Sequence, residues 1–322
     1  MEMNIRDFIS LAKCWDYFRS ERWGLSVCCP HCNHPEVKKN GFQGKDKQNQ
    51  SYECKSCKRS FNDLTNTIFA NSNEGLDVWF LCLFFMGLNL SNQQIAQELN
   101  ISKVTAQKMT NKLRTGIVKK KKEIELSGEI EADEVYVVAG HKGQPKKVEQ
   151  ADRPPRRRRL KGKRGRGTAE SEKPPILGLV ERGGQAVFRV LANVQQTTIK
   201  PIIKKVVKQG SLFYTDEYNI YERLTEWGYE HKTVCHSNGE YARDEDGDGF
   251  CEVHVNTQEG IWSVLRSWLR PHRGIAQENL PIYVGFFEFV FNAKKRGKAL
   301  FNELFKTILE EDKQSLDDIA IA

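Results

Sequence analysis

The sequence predicts an α/β domain preceded by a short amphipathic helix and two small modules, and three observations carry that prediction. Two C-x2-C pairs lie within residues 25–69, two short runs with polar caps follow within 70–120, and from residue 126 the apolar period changes from that of helices to that of strands. At 322 residues the chain can bury one core of about 150 to 200 residues and still carry smaller units. Hydrophobic content of 39%, with 17 Phe and 6 Trp, excludes a chain that is disordered throughout.

Residues 1–24 place Phe8, Leu11, Trp15 and Phe18 at spacings of three and four between charged residues, which is the period of an amphipathic helix. The stretch 25–69 is a zinc-ribbon candidate. Cys29-Pro-His-Cys32 and Cys54-Lys-Ser-Cys57 have 21 residues between them. Four thiolates suit the closed tetrahedral coordination of one structural Zn2+, and each knuckle supplies two of them from one tight turn. Tyr52 and Phe61 offer the small core such a ribbon needs. Cys28 leaves a second register open, with a x3 spacing to Cys32. The nine cysteines, an odd number, and an amino-terminal stretch without the composition of a secretion signal predict a reducing, intracellular compartment.

The 70–120 module begins with the most apolar run of the chain, Val78 to Leu88. Its 11 residues are about half of what a bilayer span needs, so it reads as a buried helix and predicts no membrane contact. Ser91-Asn-Gln-Gln-Ile-Ala-Gln-Glu-Leu-Asn100 and Ile101-Ser-Lys-Val-Thr-Ala-Gln-Lys-Met-Thr110 then read as two short helices around a tight turn, a helix-turn-helix. Ser91 and Ser102 are the caps, and Ile95, Ala96, Leu99, Ile101, Val104 and Met109 the inner face. Lys103, Thr105, Gln107 and Lys108 project outward and are residue types that contact base edges and phosphates in a major groove. An ordinary helical hairpin would carry the same pattern.

The α/β domain is read over 126–310. Glu129 to Val138 predicts a first strand, and Pro175–Val180 with Ala186–Leu191 a hairpin around Gly183-Gly184. Thr197 or Thr198 caps a helix that stops at Gly210, Leu212–Asp216 is a strand, and further helices are predicted over 217–227, 257–269 and 281–308. Between the first strand and the hairpin, 141–174 reads as a basic loop or disordered insert. It holds 13 Lys and Arg against 4 Asp and Glu, a net of +9 in a chain of net +8, so the other 288 residues together carry −1. Arg156, Arg157, Arg158, Arg159, Lys161, Lys163, Arg164 and Arg166 crowd within eleven residues, a tethered grip for phosphates that does not read sequence.

Three acidic residues carry the chemistry. Asp133 lies in the first strand and Asp216 closes the Leu212–Asp216 strand, so both can project into one crevice, and Glu259 opens the helix over 257–269. Oxygen ligands of this kind suit Mg2+ or Mn2+. Glu259 also fits the N3 position of a capping box with Asn256 as N-cap. Trp262, Leu265 and Leu269 fall on one helical stripe and read as core. Asp244-Glu-Asp-Gly-Asp-Gly249 begins like a calcium loop, but its twelfth position is Val255, so it reads as a solvated acidic loop.

The order of Cys knuckles, helix-turn-helix, Glu131-Ala-Asp-Glu134, Tyr214-Thr-Asp-Glu217, His254-Val-Asn-Thr-Gln-Glu-Gly260 and Trp262-Ser-Val-Leu-Arg266 resembles the Merlin-like group of insertion-sequence DDE transposases. The likeness covers about 25 to 296, and Phe287-Glu-Phe-Val-Phe-Asn292 is similar to that family's closing motif. The resemblance implies an RNase H-like mixed sheet flanked by helices, with Asp133, Asp216 and Glu259 as catalytic residues and ligands of two Mg2+ or Mn2+ ions. It also implies recognition of terminal inverted repeats and target DNA as double-stranded DNA partners, and a homodimer or higher homo-oligomer, since two element ends are processed together. Localisation follows: cytoplasmic and nucleoid-associated in a bacterium, nuclear in a eukaryotic host. Where the family often has Lys seven residues after the glutamate, this chain has Arg266, two helical turns on and able to hold a phosphate. His254 and Asn256 lie near enough in sequence to rival Glu259 as ligands.

Overall fold

The structure is a computed structural model that describes residues 7–44, 46–150, 166–235, 239–240, 242–249, 251–310 and 320–321. The chain divides into two compact units, one of residues 1–121 with 293–313 and the other of residues 122–292 with 314–322.

In the first unit, helix α1 (Leu11–Trp23) and a three-stranded antiparallel sheet are one structure. The sheet runs in the order β1 (Val37–Gln43), β2 (Asn49–Cys54), β3 (Ser60–Asn62). Buried Asp63 ties the two parts together: it accepts from Arg19 Nε at 2.9 Å, Trp23 Nε1 at 2.9 Å, Tyr52 Oη at 3.0 Å and the Gln50 amide at 2.9 Å. A buried carboxylate with four donors is a stable arrangement, whereas one without them would be costly. Helices α2 (Leu76–Gly87), α3 (Asn92–Glu98) and α4 (Lys103–Lys120) follow.

Two of the sequence boundaries move here. The second helix of the hairpin is 18 residues long rather than ten, and Val104, expected on the inner face, is 61% exposed. The final helix, Gly297–Leu309, expected with the α/β domain, instead belongs to this first unit. Its Phe301 and Phe305 pack on Phe8 at 4.5 Å and on Phe80 at 4.8 Å between ring centroids. Four aromatic rings at such distances bury more apolar area than any local signal in the tail reveals.

The second unit is a five-stranded mixed sheet with helices on both faces. Its strands are β4 (Glu129–Tyr136), β5 (Pro175–Glu181), β6 (Ala186–Val190), β7 (Leu212–Thr215) and β8 (Glu230–Thr233), in the order β6-β5-β4-β7-β8. The first three pair antiparallel, and β7 and β8 run parallel to β4. This is the RNase H-like arrangement expected. Ile130, Ala132, Leu177, Leu179 and Phe213 face one layer, where Ile199, Ile203 and Val206 of α6 (Gln196–Val206) complete a core. Val135, Ile176, Val180 and Phe188 face the other, against Trp262 and Leu265 of α7 (Asn256–Leu269) and Val284 and Phe287 of α8 (Leu280–Ala293). Glu131 and Asp133 alternate with the first set and therefore point to the α7 side.

The structure revises four local expectations in this unit. The helix predicted over 217–227 is two 3-10 turns, Asn219–Tyr221 and Thr225–Trp227, which carry Ile220, Tyr221, Leu224 and Trp227 into the core separately. The helix over 281–308 breaks into α8 and the final helix at Lys294, which adopts a left-handed backbone. Helix α6 begins after Gln195, with the Thr198 hydroxyl bonded to Asn193 rather than capping. The 141–174 insert contains a one-and-a-half-turn helix, α5 (Pro145–Gln150), with no buried residue, while residues 151–165 lie outside the described residues.

Candidate active site

Parallel pairing sets the geometry of the acidic residues. Strand β4 registers with β7 as Glu129 to Leu212, Ile130 to Phe213 and Glu131 to Tyr214. The pairing ends there: Asp133 lies two residues beyond the last pair on β4, and Asp216 two residues beyond it, just past the end of β7 at Thr215. Asp133 stands on the side of β4 covered by α7, where the Trp262 indole reaches it. Glu259 is the fourth residue of that helix and is exposed.

Charge links the three. Burial pushes Asp133 up to about 6, the charges of Asp216 and Glu259 add to the rise, and hydrogen bonds from Trp262 and the Glu134 amide oppose it. The Trp262 indole N–H donates to Asp133 Oδ2 at 2.8 Å, so a residue read only as core also orients the carboxylate. Asp216 Oδ1 accepts from the Tyr218 amide at 3.0 Å. Among the described residues the three carboxylates do not form a closed cluster with oxygens within 4.8 Å of one another. They meet through charge rather than contact.

Sequence reasoning passed over the neighbours that support these groups. Glu134 points to the opposite face of β4 from Asp133, accepts from Tyr221 Oη, and is pushed up to about 8, chiefly by burial. Arg166, at the end of the basic run, lies over the Tyr218 ring at 3.4 Å and acts against that rise. Arg156, Arg157, Arg158 and Arg159 lie outside the described residues. Glu131 is fully buried and accepts from Arg182 Nε at 2.9 Å, Thr257 Oγ1 at 2.8 Å and the Gln258 amide at 3.0 Å. His254 is turned toward it, with Nδ1 3.4 Å from Glu131 Oε1. The capping box expected of Asn256 and Glu259 is absent: Val255 is the N-cap, Asn256 the first helical residue, and no side chain of the cap accepts a bond. Arg266 is exposed two turns after Glu259.

In the first unit, Cys29, Cys32, Cys54 and Cys57 converge, with Sγ separations of 3.7 Å from Cys29 to Cys57 and 3.6 Å from Cys32 to Cys54. Zn–S bonds of about 2.3 Å arranged tetrahedrally put sulfurs roughly 3.8 Å apart, so the cluster fits a zinc ribbon. Cys28 lies outside it, which closes the open register in favour of Cys29. Tyr52 and Phe61 stack beneath at 5.2 Å.

Ser91 and Gln94 form a reciprocal capping box on α3, and Ser102 Oγ accepts from the Thr105 amide at 3.0 Å to cap α4. Lys103, Gln107 and Lys108 are exposed and Thr105 is half-buried. A cavity of about 660 Å³ runs along α4, lined by Lys108, Lys112, Lys119, Asn111, Asn66 and Thr67. The acidic loop closes on itself: Asp244 accepts from the Gly247 and Gly249 amides at 2.6 and 2.9 Å, with Asp246 and Glu252 close by.

Comparison with known proteins follows the same boundaries. Residues 125–292 match the profile of the ISXO2-like transposase domain. The chain is 33% identical over 314 residues, 96% of its length and 99% of the relative's, to an uncharacterized protein in transposable element ISH50 of Halobacterium salinarum. It is 30% identical over 105 residues, 32% of its length and 77% of the relative's, to an uncharacterized transposase-like protein of Haemophilus influenzae.

Proposed function

The chain belongs to the ISXO2-like family of insertion-sequence transposases, and from that membership we propose that it binds the terminal inverted repeats of its element, cleaves the DNA there and joins it to target DNA. The observation that supports this reading is the charge of Asp216 and Glu259 acting on buried Asp133, at the end of the β4–β7 pair and beside α7.

Asp133, Asp216 and Glu259 are the residues that would hold two Mg2+ or Mn2+ ions. The donor set suits them: three carboxylate side chains, with Asp133 raised chiefly by burial and further by the charges of Asp216 and Glu259, are hard oxygen donors that a divalent cation would neutralise. Such ions activate water and stabilise the leaving oxygen of a phosphodiester. Around them, Trp262 orients Asp133, Tyr218 orients Asp216, and exposed Arg266 would hold a DNA phosphate. Arg166 beside Tyr218 supports a phosphate grip by the basic segment that precedes it.

Zn2+ on the four cysteines would hold the ribbon, and Lys103, Thr105, Gln107 and Lys108 on α4 would read the terminal repeat, with Lys112 and Lys119 meeting the backbone. Both element ends are processed by a dimer or higher oligomer, with the DNA of the cell as its location. Among the described residues no helix is long and apolar enough to cross a membrane.

The test uses DNA ends taken from the inverted repeats that flank the coding region. Incubation of the protein with these ends, a target plasmid and Mg2+ should yield joined strand-transfer products, and Asp133→Asn or Asp216→Asn should lower the yield by about 10^3-fold or more, the scale of removing one member of a catalytic unit. Cut ends without joined products would point to a nuclease. Repeat binding with neither product would point to a regulator.

A further inference from the structure

We propose that Glu131 is a positioning residue: it grips the first turn of α7 from the sheet and thereby sets where Glu259 stands relative to Asp133 and Asp216. The inference rests on the reading of those three residues as one metal-binding site.

The N-cap of helix α7 is Val255, whose side chain accepts nothing; His254 Nδ1 takes the Asn256 amide at 3.3 Å, and the amides after it need acceptors from elsewhere. Every helix start presents amides in need of acceptors and a partial positive charge. Glu131 supplies both remedies from a different element. Oε2 receives the Gln258 amide at 3.0 Å, and Oε1 receives the Thr257 hydroxyl at 2.8 Å. Gln258 directly precedes Glu259, so the backbone held by Glu131 is the backbone that aims Glu259.

The grip is itself held. Glu131 is fully buried, and a buried carboxylate is tolerated only when paired and hydrogen-bonded. Arg182, at the turn after β5, pairs with it at 2.9 Å and lies over the Tyr214 ring at 3.9 Å. The same guanidinium donates to the carbonyls of Glu252 at 2.7 Å and His254 at 2.9 Å, the two residues that lead the chain into α7. One ion pair thus fastens β4, the approach to α7 and the first turn of α7. Further along, Trp262 adds a second tie to β4 through Asp133. Without the first tie, the Trp262 bond and the apolar packing of Ile261, Trp262 and Leu265 still hold the middle of the helix, while its exposed Glu259 end is freer to move.

Glu131→Gln preserves shape but cannot accept from both sides, and the full-length protein carrying it tests the proposal. Three quantities are compared with wild type: Mn2+ binding by electron paramagnetic resonance, amide hydrogen exchange over 256–260, and binding of terminal-repeat DNA. The expected result is about 10- to 100-fold weaker Mn2+ binding, the usual cost of removing a group that orients a ligand. Faster exchange confined to the start of α7 and unchanged DNA binding should accompany it. In the Glu131→Gln/Glu259→Gln double variant the two losses should not add, because Glu131 acts through Glu259. Wild-type Mn2+ affinity in Glu131→Gln, or losses that add in full, would overturn the proposal while leaving the metal site intact. Wild-type protein that takes up no Mn2+ would overturn the metal site and the proposal together.

Discussion

Asp133 and Glu134 are neighbours in one strand with different surroundings. Burial dominates in both and lifts them to about 6 and about 8, from ordinary values of 3.8 and 4.5. The folded chain therefore binds these protons more tightly than the unfolded chain, and the stability this confers is full below about pH 4 and is lost as pH rises through 6 and then 8. Without added divalent cations, the thermal midpoint should fall between about pH 5 and 8.5, and Glu134→Gln should flatten the upper part of that fall. A midpoint that climbs over the same range in calorimetry would contradict the assignment. Trp262→Phe keeps the ring contact with Phe188 and removes the donor to Asp133. It should lower strand-transfer rate about tenfold, the value of one hydrogen bond to a charged group. Its Km for DNA and its thermal midpoint should change little; a loss carried mainly by Km would assign Trp262 to binding instead.

At the scale of elements, the approach of α7 to the sheet depends on Gly178, which pairs with Asp133 across β5 and β4. A Cβ there would fall 2.1 Å from Gln258 Nε2 and 2.5 Å from the Trp262 ring, closer than atoms approach. Gly178→Ala should push α7 outward, at a cost of about 1 to 3 kcal/mol as for other overpacked cores. It should also weaken Mn2+ binding, because Glu259 and the Trp262 bond travel with that helix. Unchanged calorimetry and Mn2+ titration would mean that the helix tolerates the shift. Elements were legible in sequence where a local rule governs them. Serine caps marked the starts of α3 and α4, and 257–269 was visible as a helix from its apolar stripe, one residue short of its start at Asn256. The 217–227 segment misled because its apolar residues are spaced almost as in a helix, while the core claims them through two separate 3-10 turns.

For the whole molecule, the ribbon belongs to one unit and the acidic residues to the other. Zinc removal should therefore separate their functions. Cys29→Ser/Cys54→Ser protein should lose its one equivalent of zinc by mass spectrometry, and with it terminal-repeat binding, while retaining Mn2+ binding. Zinc content unchanged by the substitutions would refute the four-cysteine assignment. The sequence by itself determined the knuckles and the serine caps of α3 and α4, since these are relations between residues three or four apart. Only the tertiary structure decided that β4 runs parallel to β7 with Glu131 level with Tyr214, that Glu131 caps a helix from another element, and that Gly297–Leu309 joins the first unit. Those outcomes depend on strand register and on aromatic packing between distant segments, where the hydrogen bonds and buried area that choose one arrangement over another exist only once the chain has folded.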